Sequence, residues 1–112
     1  MPRRSITEMK VSEVYPLLVA KAERKGRTKE EVDEIICWLT GWDMEVADRN
    51  MSYGDFFEQA PAYNPASDQI TGTICGVRVE TISDPLMKKI RQLDKLIDEL
   101  SKGRPMDRIL RS

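Results

Sequence analysis

Between Leu86 and Leu100, large apolar residues recur at alternating spacings of four and three: Leu86, Ile90, Leu93, Ile97 and Leu100. This is the period of an α-helix, and no strand register can bring those five side chains to one face. Such a stripe has to be covered, so the rest of the chain must supply helix faces or a sheet to pack on it. Leu96 widens the stripe beyond the narrow seam of a two-stranded coil and favours a globular core. Asp84 suits the N-cap and Pro85 the first helical position. Gly103 ends the helix and Pro105 prevents it from resuming. Lys95 with Glu99, and Asp98 with Lys102, are spaced as ion pairs on the outer surface. A final turn from Pro105 to Leu110 offers Met106, Ile109 and Leu110 to the core.

A second helix is expected over 28–40. Thr28 and Glu31 form a capping box, and Gly41 is the stop. Val32, Ile35, Ile36 and Leu39 make its apolar face, with Cys37 read as a small buried hydrophobe. A helix over roughly 12–25 precedes it, with Val14, Leu17, Leu18 and Ala22 facing inward. Pro16 lies in or near its first turn, which allows a start as late as Tyr15. The two helices form an αα-hairpin around Gly26-Arg27.

The middle of the chain is less regular. Asp43 can cap a short helix over 44–50, and 55–59 reads as a further turn. The two prolines of 60–66 make that stretch a loop. The β-branched run Ile70-Thr-Gly-Thr-Ile-Cys-Gly-Val-Arg-Val-Glu-Thr-Ile82 reads as a short hairpin broken at Cys75-Gly76. Ile70, Ile74 and Val77 are also spaced for a helix, and the residues leave both readings open. The expected fold is therefore mainly α: one domain over 1–112 with four to five helices, the small hairpin being the optional β element.

Composition removes whole classes of chemistry. The 112 residues contain no histidine, which excludes Ser-His, Cys-His and His-metal mechanisms within the chain. Two isolated cysteines, Cys37 and Cys75, do not make a disulfide framework and point to a reducing compartment. The basic N-terminus lacks the apolar core of a signal peptide. No apolar run approaches the length that spans a bilayer. The chain is thus expected to be cytoplasmic, away from membranes, with no metal and no cofactor.

The formal net charge of −1 conceals a strong pattern. Residues 1–29 hold eight basic and three acidic side chains; residues 30–60 hold one basic and nine acidic. Residues 83–112 hold eight basic and five acidic. Either these segments neutralise one another within the fold, or they form a bipolar surface for head-to-tail or partner association.

The candidate functions follow from that layout. Lys21, Arg24, Lys25 and Arg27 cluster at a helix–turn–helix, which suggests nucleic-acid or phosphate binding. The second helix, however, would meet a polyanion with Glu30, Glu31, Asp33 and Glu34 foremost. The basic residues also lack an interleaved aromatic platform, so nucleic acid is the weaker reading. A thiol enzyme would need Cys75 activated by Arg78, with Glu80 on the same strand face; a tight turn explains Cys75-Gly76 more simply. Asp43, Glu45, Asp48 and Asp55 lack the EF-hand pattern, and Gly72 and Gly76 lack the Lys-Thr of a phosphate loop. Among the aromatics, Trp38 and Phe57 extend apolar periodicities, whereas Trp42 and Tyr53 are the candidates for a partly exposed partner surface. With no catalytic constellation, the leading expectation is a non-enzymatic interaction or oligomerisation module binding itself or another protein.

Several blocks also carry a family likeness. They are Lys21-Ala-Glu-Arg-Lys-Gly-Arg-Thr-Lys-Glu-Glu-Val-Asp-Glu-Ile-Ile36, Trp38-Leu-Thr-Gly41, Ile70 to Val79, Asp84-Pro-Leu-Met87, Leu93 to Leu100, and Lys102-Gly-Arg-Pro-Met106. In this order they resemble a family of small bacterial proteins known as a domain of unknown function (DUF 2200). The resemblance covers nearly the whole chain. It implies a stand-alone bacterial cytosolic domain and carries no activity and no functional residues with it.

Overall fold

The helix predicted from the apolar stripe is the axis of the molecule. In a computed structural model, which describes residues 6–74 and 76–110, helix α4 spans Pro85–Ser101. Its partners are α1 (Val11–Glu23), α2 (Lys29–Thr40), α3 (Tyr53–Glu58) and α5 (Met106–Ile109). A small antiparallel hairpin, β1 (Thr73–Ile74) and β2 (Val77–Arg78), completes the fold. Single 3-10 turns lie at Ile6–Glu8, Pro65–Gln69 and Val79–Thr81. α4 packs against all four other helices, against β1 and against the Val79–Thr81 turn. Ile90, Leu93, Leu96, Ile97 and Leu100 are accordingly buried, and Leu86 is half-buried against the same core.

The helix ends follow the sequence signals. The Asp84 carboxylate accepts from the Leu86 and Met87 N–H groups at 3.0 and 3.4 Å. Thr28 Oγ1 accepts from the Glu31 N–H at 3.2 Å, while Glu31 Oε1 accepts from the Thr28 N–H at 2.9 Å. These two reciprocal bonds satisfy donors that a helix start leaves orphaned. Gly41 ends α2 with φ +83°. The segment 70–82 resolves to the hairpin, with Thr73 opposite Arg78 and Ile74 opposite Val77.

Three expectations, on Leu17, Cys37 and residues 44–50, are corrected. α1 begins at Val11, within a residue of the expected 12–25 helix, and the later start that Pro16 allowed is not taken, since Pro16 lies inside it. The start is held by tertiary bonds: the N–H groups of Val11 and Ser12 donate to the carbonyls of Met51 and Arg49 at 3.0 and 2.8 Å. Leu17 is 60% exposed rather than inward. α1 is rolled towards α2, so that the buried Tyr15 donates its hydroxyl to Asp33; this carries Leu17 to the flank. Cys37 is exposed, because α2 buries the face of Ile35, Ile36, Leu39 and Thr40. Residues 44–50 form two short turns, 44–46 and 49–50, not a helix. The Asp48 carboxylate accepts from the Asn50 N–H at 2.9 Å, a local bond that competes with helix continuation.

Candidate functional site

Several cations of the two basic segments converge at one end of the molecule. Arg27, in the turn between α1 and α2, reaches across to the end of α4. Its Nη1 donates to the carbonyls of Arg104 and Leu100 at 2.9 and 3.4 Å. Its Nε and Nη2 hold the Glu31 carboxylate, the closest contact being 2.6 Å. That clasp brings the C-terminal turn of α1 beside that of α4. Asp98 then takes a cation on each oxygen: Lys21 at 3.5 Å and Lys102 at 3.0 Å. Burial pushes the Asp98 carboxyl up, but Lys102 and Lys21 outweigh it and the net direction is down. Glu99 is shared in the same way by Lys95 at 3.9 Å and Arg104 at 3.5 Å. The Lys95–Glu99 pair is thus not on the outer surface, whereas in Asp98–Lys102 the carboxylate is largely covered and the ammonium exposed.

The two cations that pair with Asp98 each line a hollow, Lys102 one and Lys21 the other. One, of about 540 Å³, is lined by Lys95, Lys102, Arg104 and Arg108 around Glu99. The other is lined by Lys21, Arg24, Lys25 and Ser101. Arg24, Lys25 and Arg108 are exposed, and among the described residues none of them has a carboxylate within ion-pair distance. Among the described residues this is an array of positive charges gathered by the fold, without a nucleophile–base pair.

The acidic segment has the opposite character. Asp43, Glu45, Asp48, Asp55 and Glu58 are all exposed. Arg49, the one cation within 30–60, turns away from them. Its guanidinium lies 4.7 Å from the centre of the Tyr15 ring, and Nη2 donates to the Met44 carbonyl at 2.7 Å. Among the described residues no cation pairs with any of these five carboxylates. Val46, 79% exposed, projects from the same turn.

The model of a family described as an uncharacterized protein conserved in bacteria (DUF2200) matches residues 5–111. The chain belongs to that family. A solved structure described as the crystal structure of the uncharacterized protein SP1917 is 49% identical. The match covers 97% of this chain and 94% of that one, with a TM-score of 0.88. No curated protein matches the chain. Among the described residues of this DUF2200 chain, no helix is long and apolar enough to cross a membrane.

The residues singled out in the sequence are distributed as follows. Of the basic four, Lys21, Arg24 and Lys25 share one hollow, whereas Arg27 is committed to the clasp. Trp42 is half-buried, stacked on Phe56 at 5.7 Å, and its Nε1 donates to the Phe56 carbonyl at 2.8 Å. Tyr53 is 2% exposed and cannot form a surface; it is corrected to a core residue, edge-on to Phe57 at 4.9 Å. Cys75 lies outside the described residues. Arg78 and Glu80 are exposed, and Glu80 accepts from the Gly72 N–H at 3.2 Å. Backbone N–H groups, with Arg78 and Lys88 nearby, hold that carboxyl below its usual range. Neither Arg78 nor Glu80 lines either of the two basic hollows.

Sequence reasoning missed Lys95, Lys102, Arg104 and Arg108 as members of one site. The available signal was the net positive charge of 83–112; their convergence with Lys21 required the packing of α1 on α4. It also missed a polar cluster in which Tyr63 donates to Gln92, whose amide donates to the Ser67 carbonyl at 3.2 Å.

The Tyr53 hydroxyl is buried and, among the described residues, has no hydrogen-bond partner. An unpaired buried hydroxyl costs desolvation energy without return. Tyr53→Phe is therefore expected to be neutral or to stabilise by up to about 1 kcal/mol. Urea unfolding checks this, and a loss above about 1 kcal/mol would show that the hydroxyl is satisfied in solution.

Proposed function

We propose that the protein is a non-enzymatic interaction module of the bacterial cytoplasm, joined to a second copy or a partner by complementary charge. One observation carries the reading: Arg49 is turned inward, which leaves the 43–58 carboxylates exposed and, among the described residues, without a cation, while cations of the two basic segments gather at another part of the surface. Arg27 with Glu31 and Lys29 with Asp33 neutralise the start of the acidic segment within the fold, whereas among the described residues the 43–58 carboxylates have no such partner and stay open to a complementary surface. Cys37, an exposed free thiol, suits a reducing compartment.

Sedimentation velocity tests the reading. Larger species are expected at about 20 mM salt, where exposed charges interact over tens of ångströms, and monomer at about 500 mM. Asp43→Lys with Glu45→Lys should shift the low-salt material to monomer, with association weakened about tenfold or more. Lys25→Glu with Arg108→Glu should do the same, and mixing the two double variants should restore association. A monomer at both salt concentrations, or association indifferent to these changes, would overturn self-association.

A further inference from the structure

The basic end is concave as well as charged, and its chemistry is narrower than a general charged surface. We propose that the two hollows whose cations Asp98 pairs bind a chain of condensed phosphates. Seven cations line the two hollows, against the carboxylate of Glu99 within one and that of Asp98, which pairs a cation of each. Each carboxylate is already shared by two cations. The remaining positive charge is crowded by the Arg27 clasp, which fixes the α1 and α4 ends side by side. Like charges held together in this way repel, and a bound polyanion relieves that repulsion while releasing its counterions. The cations come from α1, α4 and the chain around α5, divided between the two hollows. They therefore fit a ligand with several linked charges rather than one compact anion.

The lining also separates phosphate from base recognition. Neither hollow contains an aromatic side chain, so there is no platform on which nucleobases would stack. What the site can read is the phosphate chain itself. A phosphate chain and the acidic turn of a second copy would compete for this end, so ligand binding is measured on the Asp43→Lys, Glu45→Lys background. The proposal then stands or falls independently of self-association.

The probes are inorganic tripolyphosphate, a longer sodium polyphosphate, and single-stranded oligothymidylate of matched phosphate number, titrated calorimetrically at several salt concentrations. Affinity is expected to rise with polyphosphate length, to fall with salt, and to exceed that for oligothymidylate. Adding Lys25→Glu with Arg108→Glu should weaken binding at least about tenfold, by loss of two phosphate contacts and gain of two repulsions. Adding Lys10→Glu with Lys89→Glu changes net charge equally at residues that line neither hollow, one before the start of α1 and one in the first turns of α4, and should leave affinity within about twofold. Equal losses in the two variants would reduce the effect to overall charge. Binding of oligothymidylate as tight as that of polyphosphate would assign the site to nucleic acid. Either result, or no binding, overturns the proposal.

Discussion

Gly41→Ala is expected to destabilise the protein by roughly 3 kcal/mol, two to three times the cost of the same change at Gly26. Both glycines have left-handed backbone, with φ +83° and +79°. A side chain in that region costs about 1–2 kcal/mol on its own. The positions differ in their surroundings. A Cβ on Gly26 would meet nothing within 4 Å. One on Gly41 would lie 2.8 Å from the Ala62 Cβ and 2.9 Å from the Ala62 nitrogen. Ala62 cannot easily retreat, since its N–H donates to the Thr40 carbonyl at 3.1 Å and the Asn64 N–H donates to the Leu39 carbonyl at 2.8 Å. Those bonds tie the 60–64 loop to the end of α2, so the alanine strains both. Urea denaturation of the two variants makes the comparison. Equal losses would mean that only the backbone conformation matters and that the loop moves freely.

Arg27→Ala should cost about 2–3 kcal/mol, because it breaks a partly buried ion pair and two bonds to backbone carbonyls at once. The side chain is 17% exposed, so water replaces those bonds poorly. The Leu100 carbonyl also accepts from the Gly103 N–H at 3.1 Å, so the shorter bond to the Arg104 carbonyl, at 2.9 Å, is the larger backbone loss. Arg27→Lys should recover only part of the loss, since an ammonium cannot fork between a carboxylate and two carbonyls. The same contact makes stability depend on pH. The Arg27 guanidinium, helped by the Thr28 N–H, lowers the Glu31 carboxyl from 4.5 to about 2. A carboxyl with a depressed folded-state pKa stabilises fully above its unfolded value and loses that contribution as pH falls through the folded one. Stability should therefore decline from about pH 4.5 towards pH 2, by on the order of 1–2 kcal/mol from this group after solvent screening. In Arg27→Ala the slope in that window should flatten. An unchanged acid slope would sink the assignment to Glu31.

The features legible in the amino-acid sequence are local ones. The Thr28–Glu31 box, the Asp84-Pro85 start and the Gly41 and Gly103 stops all work within a few residues, through bonds whose partners are fixed by sequence spacing. Helix phase is less legible. An apolar stripe spans a wide arc, so Val14, Leu17 and Leu18 admit more than one rotation. The bond from Tyr15 on α1 to Asp33 on α2 selects the one that exposes Leu17. Pro16 argues for a late helix start because its cost is local; the carbonyls of Arg49 and Met51 that hold the earlier start are more than thirty residues away.

The candidate site divides along the same line. That the chain has a basic beginning, an acidic middle and a basic end is a property of the sequence alone, as is the absence of histidine chemistry. Mainly helical architecture also follows from it, because periodicity and caps act locally. Whether opposite segments cancel is a question of distance, and Coulomb interactions between exposed charges fade within about 10 Å in salt. Only tertiary packing set those distances. It turned Arg49 onto Tyr15 and away from its acidic neighbours, and it used Arg27 to bring the ends of α1 and α4 together, placing like charges side by side.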